Sequence, residues 1–110
     1  MILDKQENIL IITQESVDTV ELVKKINARY KEMQNDNIIV NLFSFGKLTK
    51  SDLVEFLQLS KIHRAAKRSF VIVTNKINTD DLPEAIMTVP TLQEAFDIIE
   101  MEEIERDLGF

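Results

Sequence analysis

Two runs of the chain are apolar at almost every position, Ile38-Ile39-Val40-Asn41-Leu42-Phe43 and Phe70-Val71-Ile72-Val73-Thr74. Such runs suit strands covered on both faces. Between them, Ser51 to about Ala66 carries Leu53, Phe56, Leu57 and Ser60 at helical spacing. Strand, crossover helix, strand is the βαβ unit, which makes its two strands parallel neighbours or near neighbours. A third run, Ile9 to Thr13, reads as another covered strand. It follows a short edge strand at Ile2 to Asp4 and a turn at Gln6-Glu7-Asn8.

Val20, Val23, Ile26, Tyr30 and Met33 recur at three- and four-residue steps, joined by Leu22, which predicts one helix with one apolar stripe. Ser16 is placed to cap it, with Asp18 in the first turn, where a negative charge suits the helix dipole. Thr49 or Ser51 caps the second helix, and Thr49-x-x-Asp52 is a relative of the capping box. A short helical turn is expected around Leu82-Pro83-Glu84-Ala85, then a strand at Ile86 to Val89. Pro90 and the box Thr91-x-x-Glu94 open a final helix. The order is α/β: a four- to five-stranded mixed or mostly parallel sheet flanked by helices, within one domain spanning residues 1–110.

Composition narrows the chemistry more than it suggests any. There is no cysteine, so there are no disulfides, thiolate nucleophiles or sulfur metal sites. The start of the chain lacks a signal peptide's basic region and long apolar run, and no stretch suggests a membrane span; the cytoplasm is the expected location. The net charge of −6 sits in residues 91–110, where seven acids face Arg106 alone. That balance argues against direct nucleic-acid binding. Residues 100–110 read as an acidic C-terminal extension.

At this point the chain resembles the STAS domain, the fold of anti-sigma-factor antagonists. The likeness rests on Ile38-Ile39-Val40-Asn41-Leu42 with its following loop and helix, on Phe70-Val71-Ile72-Val73, and on Val89-Pro90-Thr91-Leu92-Gln93-Glu94-Ala95. It implies a non-enzymatic regulatory module acting through protein–protein contact. Antagonists of that family are phosphorylated on a serine or threonine in an Asp-Ser-Ser-Gly or Asp-Thr/Ser-Gly loop. The matching window here is Thr49-Lys50-Ser51-Asp52, with Ser51 at the phosphoacceptor position, Thr49 replacing the acid and Asp52 the glycine. A plain helix cap is the competing reading of Ser51. The ending Glu102 to Phe110 also resembles small bacterial chains named ribonuclease Z. That enzyme needs two zinc ions held by several histidines and aspartates, and this chain has one histidine, His63.

His63 reads as a dipole or surface residue late in its helix, and Asp80-Asp81 as a helix start beside Pro83. Lys61, Arg64, Lys67 and Arg68 form a basic patch suited to an acidic partner such as another copy's C-terminus. In the last helix, Leu92, Ala95, Phe96 and Ile99 share one face while Met101, Ile104 and Leu108 fall on the opposite one. Either the chain kinks near Glu100 and folds back, or the second stripe with Phe110 meets a partner, or the acidic tail is disordered. The candidate partner-binding residues are therefore Thr49, Lys50 and Ser51, with Met101, Ile104, Leu108 and Phe110. The partner is another protein or a second copy in a homodimer. No catalytic residue, metal or cofactor is expected. The competing functions are an accessory to tRNA 3′-end processing and a small-ligand or nucleotide binder.

Overall fold

The computed structural model describes residues 1–14, 18–77, 80 and 82–109. Five strands form one sheet in the order β1-β2-β3-β4-β5: Ile2–Gln6, Ile9–Thr13, Asn37–Asn41, Phe70–Val73 and Met87–Val89. β1 runs antiparallel to β2, and the other neighbours are parallel. The expected mixed sheet flanked by helices is thus observed.

Register follows from the two-residue period of the strands. Leu10, Ile12, Ile38, Val40, Phe70 and Ile72 point to one face, and Ile11, Ile39, Val71 and Val73 to the other. The first face is covered by α1 (Thr19–Ala28), α2 (Tyr30–Met33), α3 (Lys50–Val54) and α4 (Leu57–Ala65) through Leu22, Ile26, Met33, Leu53, Phe56 and Leu59. Among the described residues, α5 (Leu92–Asp107) covers the second, through Ala95 and Ile99. Strands added in sequence order, with crossovers of one hand, leave their helices on one side. The opposite face is then open for the last helix.

Several local expectations are corrected. The first helix is broken at Arg29 into α1 and α2, and its stripe is narrower than predicted: Leu22, Ile26 and Met33 are buried while Val20 faces solvent. Asp18 is the N-cap, accepting from the Glu21 N–H at 2.8 Å; Ser16 lies outside the described residues. The second helix is likewise two, α3 and α4, interrupted at Glu55-Phe56 so that Phe56 is fully buried. Leu82 to Ala85 form no helix; Ile86 N–H closes a turn onto the Pro83 carbonyl at 3.0 Å. Asp81 of the expected acidic helix start lies outside the described residues. The two boxes exchange rank. Thr49 and Asp52 bond reciprocally, whereas Glu94's carboxylate takes the Thr91 hydroxyl rather than its backbone N–H. α5 runs without a break through Glu100, so the kink does not occur.

Candidate functional site

The last two turns of α5 reach past its apolar contacts, over the ends of β3 and β4 where those strands begin. Asn37 and Ser69, both buried, wait there. The Asn37 side-chain oxygen accepts from the Ser69 N–H at 2.8 Å, tying the two strand starts together. Ser69 Oγ donates to Glu102 at 2.6 Å and accepts from Arg106 at 3.1 Å. The Asn37 amide donates to Glu103 at 2.6 Å, as does Asn8 from the turn between β1 and β2. Arg64 at the end of α4 donates to Glu102 at 3.1 Å and to the Phe70 carbonyl at 3.0 Å. Charge-assisted bonds of this kind are stronger than neutral ones, and both side chains of the Arg64–Glu102 pair are largely shielded from solvent, at 27% and 18% exposed. This clasp joins α4, α5 and the starts of β3 and β4.

The clasp uses Glu102 and Glu103 of the acidic ending and Arg64 of the basic patch. Arg64 receives an acidic C-terminal helix, as the charge pattern invited, but it is this chain's own. It also sets the rotation of α5. Ala95, Ile99, Glu102 and Arg106 lie on one helical face, so the pattern is apolar in its first half and polar in its second. Pointing Glu102 and Arg106 at the sheet turns Met101, Ile104 and Leu108 outward, where each is at least half exposed. In this half of the helix the polar side is inside and the apolar side outside. Beside the stripe, Val89, Ile98 and Met101 line an open apolar hollow of about 210 Å³ edged by Glu94 and Asp97. Phe110, expected to extend the stripe, lies outside the described residues.

The other candidate residues sit elsewhere. Thr49 caps α3, and its hydroxyl accepts from the Asp52 N–H at 3.2 Å. Asp52 returns a bond to the Thr49 N–H at 2.9 Å and accepts from the Thr19 hydroxyl of α1 at 3.4 Å. The plain-cap reading of Ser51 is thereby overturned, since Thr49 performs that task. Ser51 and Lys50 are exposed on the first turn of α3. This turn and the stripe on α5 lie on opposite faces of the sheet, which separates them.

His63 is corrected more sharply. It is fully buried, with Nε2 at 2.7 Å from the Asp36 carbonyl and Nδ1 at 2.6 Å from the Tyr30 hydroxyl. A carbonyl can only accept, so Nε2 carries the proton and the neutral ring accepts the tyrosine O–H at Nδ1. Burial lowers the His63 pKa, with nearby Arg68 and Arg64 adding to the effect against the Asp36 carbonyl. Burial also raises that of Tyr30, which keeps its hydroxyl a donor. The pair fastens α2 to α4. Among the described residues, no group of three His, Cys, Asp or Glu could hold a metal ion. None of the described helices is long and apolar enough to cross a membrane.

Comparison with known proteins places the fold. Among solved structures, the chain superposes on a serine-to-glutamate variant of RsbS from Moorella thermoacetica with a TM-score of 0.66. The two share 11% identity over 90% of this chain and 93% of that one. The STAS-like fold expected from the sequence is therefore this chain's fold. No protein-family model matches, and no curated protein does. The resemblance to chains named ribonuclease Z gains no support from any of these comparisons.

Proposed function

We propose that this chain is a non-enzymatic, cytoplasmic regulatory module of STAS type that works by binding another protein. The observation that carries this reading is the outward apolar stripe Met101, Ile104 and Leu108 on a helix whose inward face is held by the clasp. Exposing three large aliphatic side chains at two-turn spacing while burying charges behind them is unfavourable for an isolated domain. Covering the stripe with a partner recovers that loss. The solved neighbour named RsbS has the same fold, which is consistent with a regulatory role.

A second surface, Thr49, Lys50 and Ser51, is proposed as the control point. Ser51 is exposed and relieved of capping by Thr49, so its hydroxyl is available for phosphorylation, which would add a charge of about −1.5 to −2. The structural neighbour is a serine-to-glutamate variant, which replaces a hydroxyl with a carboxylate, and Ser51→Glu makes the same kind of change here.

The test is affinity capture from native lysate with three baits: wild type, Ile104→Ser/Leu108→Ser, and Ser51→Glu. A truncation before Met101 is unsuitable because it deletes Glu102, Glu103 and Arg106 along with the stripe. A protein held by the wild type and lost from the stripe variant is the expected result. Identical captures by the wild type and the stripe variant would remove the stripe from the proposal. Unchanged capture by Ser51→Glu would remove the control point.

A further inference from the structure

The outward face of α5 carries charge of one sign. Asp97 and Glu100 flank Met101 and Ile104, Glu94 edges the hollow beside Val89 and Ile98, and Glu105 and Asp107 lie beside Leu108. Glu94, Glu100, Glu105 and Asp107 are exposed and Asp97 is half-buried. Arg106, the one basic residue of α5, is turned inward onto Ser69 and Asn37, and Lys67 and Arg68 lie near Glu105 and Asp107 at the end of the helix, away from Glu94, Asp97 and Glu100 beside the hollow. The apolar stripe is two turns long, roughly 10 Å at the α-helical rise. Its three- and four-residue spacing forms the ridge on which a second helix packs at about 8–10 Å between axes.

We infer that this face receives an amphipathic helix of another protein whose apolar ridge is bordered by lysine or arginine. The inference rests on the reading of the chain as a protein-binding module and names the chemistry of its partner. Charge decides against a second copy of the chain. Two α5 helices meeting through their stripes would bring Asp97, Glu100 and Glu105 of each within about 10 Å of the other's acids. That is about one screening length at roughly 0.1 M salt, so the like charges still repel, and more strongly as salt is lowered. A basic-bordered helix turns the same geometry into attraction, and the hollow lined by Val89, Ile98 and Met101 lies beside the ridge to take one of its aliphatic side chains. The clasp contributes by holding the face in place before the partner arrives, which lowers the ordering cost of association.

The test uses two dye-labelled model peptides of about 18 residues, five helical turns. Both carry leucine at the ridge positions; the remaining positions are lysine in one and glutamate in the other. Fluorescence anisotropy is read against the full chain at about 50 mM and 500 mM salt. The lysine peptide is expected to bind and the glutamate peptide not to. Binding of the lysine peptide should weaken at least about tenfold in Ile104→Ser/Leu108→Ser, and again in Asp97→Asn/Glu100→Gln at low salt. Every substituted side chain is exposed except the half-buried Asp97, and circular dichroism confirms that the variants fold. Equal binding of both peptides, or lysine-peptide binding indifferent to both variants, would overturn the inference. So would a stable homodimer in sedimentation equilibrium that the stripe variant abolishes, since that would make the second copy the occupant. Failure here, with lysate capture still lost from the stripe variant, would leave the module reading standing. Loss of both would end it.

Discussion

Replacing Ser69 with alanine should loosen the end of α5 without disturbing its beginning. The side chain is fully buried and serves two charged partners, donating to Glu102 at 2.6 Å and accepting from Arg106 at 3.1 Å. Hydrogen bonds to charged groups contribute about 1.5–3 kcal/mol each when made in shielded sites. Both partners here keep other bonds: Glu102 to Arg64, and Arg106 to Asn37. Glu102 also retains some solvent contact. The expected net loss is therefore about 2 kcal/mol, below the roughly 3 kcal/mol lower end for two such bonds, because each partner keeps another bond. In a chain of this size that lowers Tm by about 10 °C. The shape of the effect is more telling than its size. Amide hydrogen exchange should accelerate over residues 101–107 while Ala95 to Ile99, held by apolar packing, stay protected until global unfolding. A double-mutant cycle with Glu102→Gln should give a coupling of at least about 1 kcal/mol. Uniform acceleration along α5, or coupling near zero, would refute the view that the clasp is a separate device fixing the rotation of the helix.

Other expectations follow from the same geometry. Tyr30→Phe leaves His63 Nδ1 buried and unpaired, so stability should fall by about 1–3 kcal/mol in urea unfolding; a loss under half of that would mean the ring finds another donor. His63 has a folded pKa below its ordinary 6.5, so the unfolded chain binds the extra proton. Its contribution is complete above about 6.5 and is lost as pH falls below that value. A His63→Asn variant should show a flatter stability profile from about pH 7 down to 5, and parallel profiles would refute the assignment. Lys67 holds φ at +67° just past α4, where Lys67 N–H bonds the Arg64 carbonyl and Arg68 N–H the His63 carbonyl. This is the helix-ending turn that favours glycine, so Lys67→Gly should raise stability by up to about 1 kcal/mol. A fall in stability would show that the lysine side chain does something its exposure hides.

Much of the scaffold was legible before any coordinates. Continuous apolar runs at Ile9, Ile38 and Phe70 can only be strands covered on both faces, and their spacing dictated crossover helices. The resemblance in the loop after β3 and in Val89 to Ala95 then pointed to the STAS-like architecture that the superposition bears out. The caps of α3 and α5 were legible too, because a threonine with an acid three residues on can satisfy helix N–H groups wherever the helix lies, whereas the cap of α1 fell on Asp18 rather than on Ser16 as expected.

Where two readings of one pattern differed only in what lay opposite, local sequence was silent. His63 looked like a surface residue because its partners, Tyr30 and Asp36, are about thirty residues away. No proline or glycine marks the breaks at Arg29 and at Glu55-Phe56, so the local sequence did not announce them. The clasp was out of reach for the same reason. Asn37 and Ser69 are unremarkable polar residues before strands until parallel pairing sets them side by side under Glu102, Glu103 and Arg106. By itself the sequence determined that the last helix has two unlike faces. Which face turned inward was decided by tertiary structure, because buried Asn37 and Ser69 must have polar partners and only the charged half of α5 could supply them.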